Sequence, residues 1–555
     1  MPKTSVSISF GLVDVTAKSD TTASASEHQP FSDPQDLSLE GIYPAAAATL
    51  EKDYWKLDGT FVPFPDKPEN TSWGLWSYQM SGENRKFSSP IVLTLTFQNL
   101  HESRGLTFEF NPYGNDYCND LNIKWYKGST LIADKSFAPD NWRYSCMNKV
   151  VNYNKIVVTF YGMNKMYRYL KLQNIQHGVI KSFDNSELEN TKVLEEVNLM
   201  STELSINTLD FTVHCKDDEF NIFNPQGIYD LLQKKQQLSV EGTKDGKLMN
   251  MGYFYVDEWE NDNGIADISA QDAIGIMDGT MFNGGMYKNI DAKDLIDEVM
   301  KDAGFGYSLS SSLADVKVSG YLARSSHREA LQQIAFAIGA YVDTSRGGMV
   351  KICAQPENVP AVALGMNRRI TGEKVSLRSY VSGVSVTEHT YAVEDEISEL
   401  YKGELEAGEN LITFSNPATS ITCSGAAIKE SGVNYCIVNV TSAGEVIING
   451  KKYADSQSVV TVKTDDIEAG EKENIEEVTG ATLVGKHNSF EVANRLLNYY
   501  QNRIQQNMSF ILDTETAGET VSVEVSEGVF RNTVIESLET DLTGGFITAA
   551  VTAGA

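Results

Sequence analysis

The stretch SHREALQQIAFAIGAYVDTSRGGMVKI, residues 326–352, holds the clearest local structure in the chain. Ser326 and Glu329 have the spacing of a capping box, in which a serine hydroxyl takes the N–H three residues on. Leu331, Ile334, Ala335 and Ile338 then recur at helical spacing and give one apolar face. Tyr341-Val342-Asp343 reads as a strand, Ser345-Arg346-Gly347-Gly348 as a turn, and Met349 to Ile352 as the returning strand. The unit is a helix followed by a hairpin.

Working outward, similar α+β texture extends from about Val179 to the end. Asn224-Pro225 offers an N-cap and a first-turn proline for a helix through Leu231-Leu232. Lys244-Asp245-Gly246-Lys247 and Asn261-Asp262-Asn263-Gly264 read as hairpin turns around the strand Tyr253 to Trp259. A helix near Asp291–Ala303 carries Leu295, Ile296, Val299, Met300 and Ala303 on one stripe and ends at Gly304. Residues 380–465 are strand-rich, and Asp465 to Glu477 is an acidic loop. A long helix is expected over Ser489–Gln506, with Phe490, Ala493, Leu496, Leu497, Tyr500 and Ile504 inward. Strands follow at 521–525, 535–542 and 546–551. At the other end, Val6, Ile8, Phe10 and Leu12 alternate with serines as a half-buried strand, and Thr16–Gln29 reads as a Ser/Thr/Ala connector.

Residues 31–175 differ in composition. They hold 25 of the 54 aromatic residues and five of the six tryptophans: Trp55, Trp73, Trp76, Trp125 and Trp142. They carry 15 Lys+Arg against 15 Asp+Glu, while the chain carries 46 against 75 for a net charge of −29. The whole excess of acid therefore lies outside this aromatic module. Short strands at 91–97, 105–110, 121–126, 155–161 and 167–172, separated by Asn, Gly, Pro and Asp clusters, read as a sandwich or jelly roll.

The aromatics divide by their neighbours. Trp125 alternates with Leu121 and Ile123, and Trp55 lies beside Leu57 and Phe61, so both read as core. Trp73, Trp76, Tyr78, Tyr113, Tyr117, Trp142 and Arg143 lie in polar, loop-like stretches. A ring that stacks on C–H groups beside Arg, Asn and Asp suits a sugar face, and these seven residues are the candidate glycan site. The competing reading folds such rings back as lids on the sandwich.

Other chemistry finds little support. The six cysteines include no CxxC pair and read as buried free thiols, although Cys118 and Cys146 share the module and could pair. No HExxH, GxSxG, GxGxxG or calcium-loop series occurs, and His214, His327 and His389 read as structural or solvated. GATLVGKH, residues 480–487, fits GxxxxGK but places His487 where a phosphate loop needs Ser or Thr. Asp53, Asp58, Asp116 and Asp120 sit among aromatics and leave a glycosidase pair open. No cofactor, metal or enzymatic activity is expected. An acidic body of this size disfavours nucleic acid, and no secretory signal or membrane-length apolar run is present.

Two resemblances follow from these segments. Residues 326–352, together with YFYVDEWENDNGIADISAQDAIGIMD (253–278) and VFRNTVIESLETDLTGGFITAAVTAG (529–554), resemble the tail-tip and baseplate hub family of long-tailed phages, contractile tails and tailocins. The resemblance spans roughly 1–15 and 179–555. MYRYLKLQNI, residues 166–175, resembles the closing strand of discoidin-type jelly rolls, a fold common in carbohydrate-binding modules.

The fold expected is multidomain and mainly β with α+β parts. A discoidin-like β-sandwich is inserted in a hub of tube-like β-barrel domains, beside a helix–hairpin domain. The expected segments are 1–30 (first hub strand and linker), 31–176 (sandwich), 177–280 (first hub β domain), 281–360 (helix–hairpin), 361–485 (strand-rich) and 486–555 (closing helix and strands). The hub resemblance implies a homotrimer that joins the tail tube and other tail-tip or baseplate proteins, with an acidic lumen that does not hold passing DNA. Some members of the family append a wall-cutting domain, and the end at Ala555 leads to the expectation of none here. The module implies contact with host cell-surface glycan. Such a protein is made in the bacterial cytoplasm and carried in a virion tail or phage-like particle. The alternatives are a glycan-binding adhesin without a tail role and a glycoside hydrolase.

Overall fold

The computed structural model describes residues 3–554 except 14, 39–42, 45–47, 50, 53, 55–70, 111–114, 215–236, 263, 466 and 468–469. Two compact units are present: Ser9–Ser182, and Met1–Ile8 with Phe183–Ala555. The second unit is thus interrupted in sequence by the first. The helix read at Asn224-Pro225, Trp55 with its neighbours, and Cys215 lie outside the described residues.

In the Ser9–Ser182 unit the organising element is a ribbon of two long strands, Lys86–Phe110 and Arg143–Met163. They pair from Lys86↔Gly162 to Glu109↔Arg143, with register shifts between Thr96 and Gly105. Such shifts bend a ribbon. At Gly105 a Cβ would lie 2.2 Å from the Cys146 carbonyl oxygen, so the close approach there requires glycine. The sheet runs Leu75–Met80, Tyr169–Gln176, Lys86–Phe110, Arg143–Met163, Cys118–Lys127, Thr130–Phe137, with Thr21–Ala25 paired to Lys86–Phe110. Alternation fills the core: Ile91, Leu93 and Leu95 face Leu121, Ile123, Trp125, Ile156, Val158 and Phe160, all buried. Trp125 is core, as its periodicity indicates.

Two local expectations change here, and the reading of the cysteines as buried free thiols holds for Cys118 and Cys146. The connector Thr16–Gln29 contains a strand, because Thr21–Ala25 alternates inward and outward and pairs Leu93–Phe97. The compact unit is correspondingly wider than 31–176. Tyr78 lies on the strand Leu75–Met80 and Arg143 opens the strand Arg143–Met163, so neither is on a loop. Cys118 and Cys146 are both buried free thiols, and burial pushes the Cys118 thiol up to about 12.

The larger unit is built on one long antiparallel sheet. From Thr4–Val13 it continues through Gln237–Lys244, Lys247–Asp262, Ile265–Gln271, Thr208–His214 and Leu188–Glu196. It then passes directly to Val529–Asp541, Ile547–Gly554, Ile504–Ile511 and Arg369–Leu377. The seam between the two halves is a regular antiparallel ladder from Lys192↔Asp541 to Glu196↔Ser537. Strands far apart in sequence thereby become neighbours in one sheet. The turn at Asp245-Gly246 joins its two strands as the sequence predicts.

The helix–hairpin forms as read. Ser326 Oγ accepts the Glu329 N–H at 3.1 Å, and the helix runs His327–Ile338. Gly339, at φ +78, ends it in the left-handed cap that glycine enters without steric cost. Ala340–Asp343 pairs Val350–Ala354. Leu331, Ile334 and Ala335 pack with Leu295, Ile296, Val299 and Met300 of the helix Ala292–Ala303. The last helix is shorter than expected, Ser489–Gln501, and Ile504 instead begins the strand Ile504–Ile511, held by pairing to Gly554. Its buried face is Val492, Ala493, Leu496 and Leu497, which leaves Phe490 64% exposed rather than inward. Residues 383–478 form two further sheets around Ile412, Phe414, Cys436, Val438, Val440, Val446 and Ile448.

Candidate functional site

The seven residues singled out in the module do not form one surface. Trp73 and Trp76 are 2% and 1% exposed. With Phe31 they make a three-ring cluster, all edge-on, with centroids 5.2, 5.5 and 5.6 Å apart. Edge-to-face packing uses up the ring faces a sugar would need. The cause is a long-range pairing: Leu75–Met80 is a strand beside Tyr169–Gln176, which puts Leu75 in the sandwich core and Trp76, opposite Lys171, in a separate buried cluster with Trp73 and Phe31. Both tryptophans are therefore lids, and the expectation that they stack on ligand is corrected. Tyr113 lies outside the described residues. Tyr117 is half-buried against the core, with its N–H donated to Asn164 Oδ1 at 3.1 Å.

Two groups remain outward. Trp142 and Arg143 lie where the strand Arg143–Met163 begins. The Arg143 guanidinium sits 5.1 Å from the Trp142 ring, and its Nε lies 3.0 Å from Glu109 Oε1. Asn174 Nδ2 donates to the other Glu109 oxygen at 3.4 Å. A half-exposed indole, a guanidinium, a carboxylate and an amide thus stand together, which is a donor and acceptor set matched to hydroxyls. Tyr78, 55% exposed, is elsewhere. Trp76 and Met80 on either side of it pair Lys171 and Tyr169, so it lies about four residues before Asn174 on the closing strand, about 13 Å away along that strand.

The second group was not legible in the sequence. Tyr167 is 46% exposed and has φ +55, and its hydroxyl donates to Glu83 Oε1 at 3.1 Å. That hydrogen bond, more than burial, raises the Tyr167 hydroxyl above the usual tyrosine range. Arg85 at φ +63 and Asn115 at φ +51 lie in the adjoining turns, and Asn164 ties them: its Nδ2 donates to the Asn115 carbonyl at 3.0 Å and its carbonyl accepts from Arg85 Nη1 at 3.5 Å. Three non-glycine residues in the left-handed region at one end of a sandwich mark a strained loop cluster. Asn-Lys-Met-Tyr at 164–167 gives no periodic or compositional signal that would have announced it.

The carboxylates divide as well. Asp120 pairs with Lys86, and Asp116 is buried between Lys165 and Arg168. Asp53 and Asp58 lie outside the described residues. In the other unit, the amide of Gly485 donates to Asn488 Oδ1 at 3.0 Å, so the backbone N–H that a phosphate loop would offer is used by the chain's own turn. His327 and His389 rest 3.1 and 2.7 Å from Asp302 and Asp455. Among the described residues no group of three or more His, Cys, Asp or Glu could hold a metal ion, and no helix is long and apolar enough to cross a membrane.

No family model and no curated protein matches the chain. Among solved structures it is similar to the prophage MuSo2 43 kDa tail protein from Shewanella oneidensis, at 11% identity over 67% of this chain and 94% of that one, with a TM-score of 0.39. It is similar to a tail protein from Neisseria meningitidis MC58, at 10% identity over 67% and 93%, TM-score 0.41. A family 32 CBM from C. perfringens NanJ, solved in complex with galactose, is similar over 31% of this chain and 99% of that one, at 11% identity and TM-score 0.20.

Proposed function

We propose that this chain is a structural hub or tail-tip protein of a phage or phage-like particle, continuing the tail tube and presenting a glycan-binding module to the host surface. The observation that carries the reading is the seam Leu188–Glu196/Val529–Asp541. It joins two antiparallel β halves of one chain edge to edge, which is what a tube wall needs if each subunit is to supply two adjacent β elements. A homotrimer of such a chain gives a six-part ring, and closed cyclic symmetry is the usual solution for repeated subunits. The net charge of −29 belongs to the residues outside 31–175, so the ring-forming part is strongly acidic. A wall of that sign repels a phosphate backbone. The partners are then the tail tube and neighbouring tip or baseplate proteins, and the role is structural rather than catalytic.

In this reading the glycan face of the module is the Trp142–Arg143–Glu109–Asn174 group. A glycan array with the full chain tests it: Trp142→Ala is expected to reduce binding at least about tenfold, the scale of one lost stacking and hydrogen-bonding contact. Binding unchanged by Trp142→Ala and by Arg143→Ala would remove this face from the site. The tube reading has its own test, native mass measurement with purified tail tube, in which a chain that stays monomeric on the tube would contradict it.

A further inference from the structure

Inside the Ser9–Ser182 unit lies a charge cluster with no part in the surfaces above. Lys171, on the closing strand, is 1% exposed; Glu51 is 3% and Asp116 1%. Lys171 Nζ is 2.6 Å from Glu51 Oε1 and 3.9 Å from Asp116 Oδ2. Aromatic rings wall the ammonium: the Tyr54 centroid is 3.8 Å away and that of Trp76 is 5.5 Å away. Glu51 is held from both sides, Oε1 accepting the Tyr169 N–H at 2.9 Å and Oε2 the Thr49 hydroxyl at 2.6 Å. Asp116 is held by Arg168 Nε at 3.0 Å and Lys165 Nζ at 2.8 Å. A buried amine, a carboxyl group in contact with it, a second carboxylate next to both, and aromatic walls that exclude water are the components of an amide condensation.

We propose that Lys171 and Glu51 condense into an intramolecular isopeptide bond, with Asp116 as the proton carrier. Taking an ammonium and a carboxylate out of water is costly, and a neutral amine and acid avoid that cost. Burial pushes the Lys171 ammonium below the usual lysine range, against the opposing pull of Glu51. The proton first crosses the 2.6 Å contact from Nζ to Oε1. The Nζ lone pair then attacks Cδ, the N–C bond forms, and the carbonyl electron pair moves onto Oε2, where the Thr49 hydroxyl meets the growing charge. Asp116 takes the second proton from Nζ and returns it to Oε1. The C–Oε1 bond breaks, water leaves, and the carbonyl re-forms at Oε2. The balance is an amine plus a carboxylic acid giving an amide plus water, with no oxidant or other reactant. Arg168 and Lys165 hold Asp116 beside Nζ, where it is placed to carry the proton. The product would close a loop between residues 120 apart in sequence and fix the segment around Glu51 to the closing strand.

Mass measurement of the denatured full chain tests this. The bond removes one water, a loss of about 18 Da from the sequence mass. Protease digestion should then yield a branched peptide joining the residues around Glu51 to those around Lys171, with no cleavage after Lys171. Lys171→Arg keeps a cation and cannot condense, so its mass should equal its sequence. Glu51→Gln should condense with loss of ammonia, about 17 Da. If the unmodified sequence mass is found and both peptides are recovered separately, the cluster is an ordinary buried ion-pair network and the proposal fails. That reading needs no variant to fold.

Discussion

Replacing Arg346 by methionine should loosen the seam of the large sheet. Arg346 lies in the hairpin turn after the helix His327–Ile338, and its Nε and Nη2 reach both oxygens of Glu195 at 2.5 and 2.8 Å. Glu195 is 1% exposed and sits on the seam strand Leu188–Glu196, opposite Leu538. A third contact runs from Nη2 to the Glu515 carbonyl at 3.4 Å. Methionine keeps much of the apolar bulk and leaves the Glu195 carboxylate buried without its bidentate partner. Breaking a buried pair in this way costs about 3–5 kcal/mol. Arg346 is held at φ +59, where a non-glycine residue pays about 1–2 kcal/mol. That strain remains with methionine and is relieved only with glycine, so Arg346→Gly should be the milder of the two by about 1 kcal/mol. Hydrogen exchange of the amides at 192–196 reads the effect locally. Their opening free energy should fall by about 3 kcal/mol or more in Arg346→Met and recover most of that loss in the Arg346→Met/Glu195→Gln double variant. A single-variant loss below about 0.5 kcal/mol would show that the pair does not hold the hairpin to the seam.

Asp272 caps the helix Ala273–Asp278 and accepts from the Asn207 N–H at 3.0 Å, the Gly275 N–H at 3.1 Å and the Thr344 hydroxyl, yet burial raises its carboxyl to about 6. A folded value above the unfolded 3.8 means stability that is full below pH 3.8 and lost as pH rises through 6. Relative to Asp272→Asn, the wild type should therefore lose about 3 kcal/mol between pH 3.8 and 7 in denaturant titrations, and parallel curves would contradict this. Trp73→Ala and Trp76→Ala should lower module stability by about 3–5 kcal/mol in thermal unfolding, with any glycan loss tracking unfolding. Phe490→Ser should change stability by less than about 0.5 kcal/mol, since its ring is mostly exposed.

What the sequence makes legible is set by how local the determining forces are. The Ser326 cap and the Leu331–Ile338 stripe act within one short helix, and both are seen as read. The alternation around Trp125 is equally local and identifies it as core. Trp73 and Trp76 show the limit. Their polar neighbours suggest a loop, but Leu75 pairs with Leu172 and Trp76 with Lys171, almost a hundred residues distant, and both rings are buried together against Phe31. Ile504 continues the helical stripe of residues 489–500, yet the ladder to Gly554 makes it a strand. The seam at 192–196 and 537–541 cannot be inferred from either segment alone, because nothing in an alternating strand names its partner. The outward-facing groups follow the same rule: Trp142 and Arg143 were read on composition, whereas Tyr167, Arg85 and Asn115 are brought together only by backbone conformation.

Electron cryomicroscopy of the full chain bound to tail tube most directly tests whether, as proposed, the chain forms part of a tube wall with two adjacent β elements per subunit. Three copies around one axis are expected, with the seam Leu188–Glu196/Val529–Asp541 repeated three times in a six-part β ring. A ring in which the seam strands are separated, or a chain attached singly to the side of the tube, would contradict it.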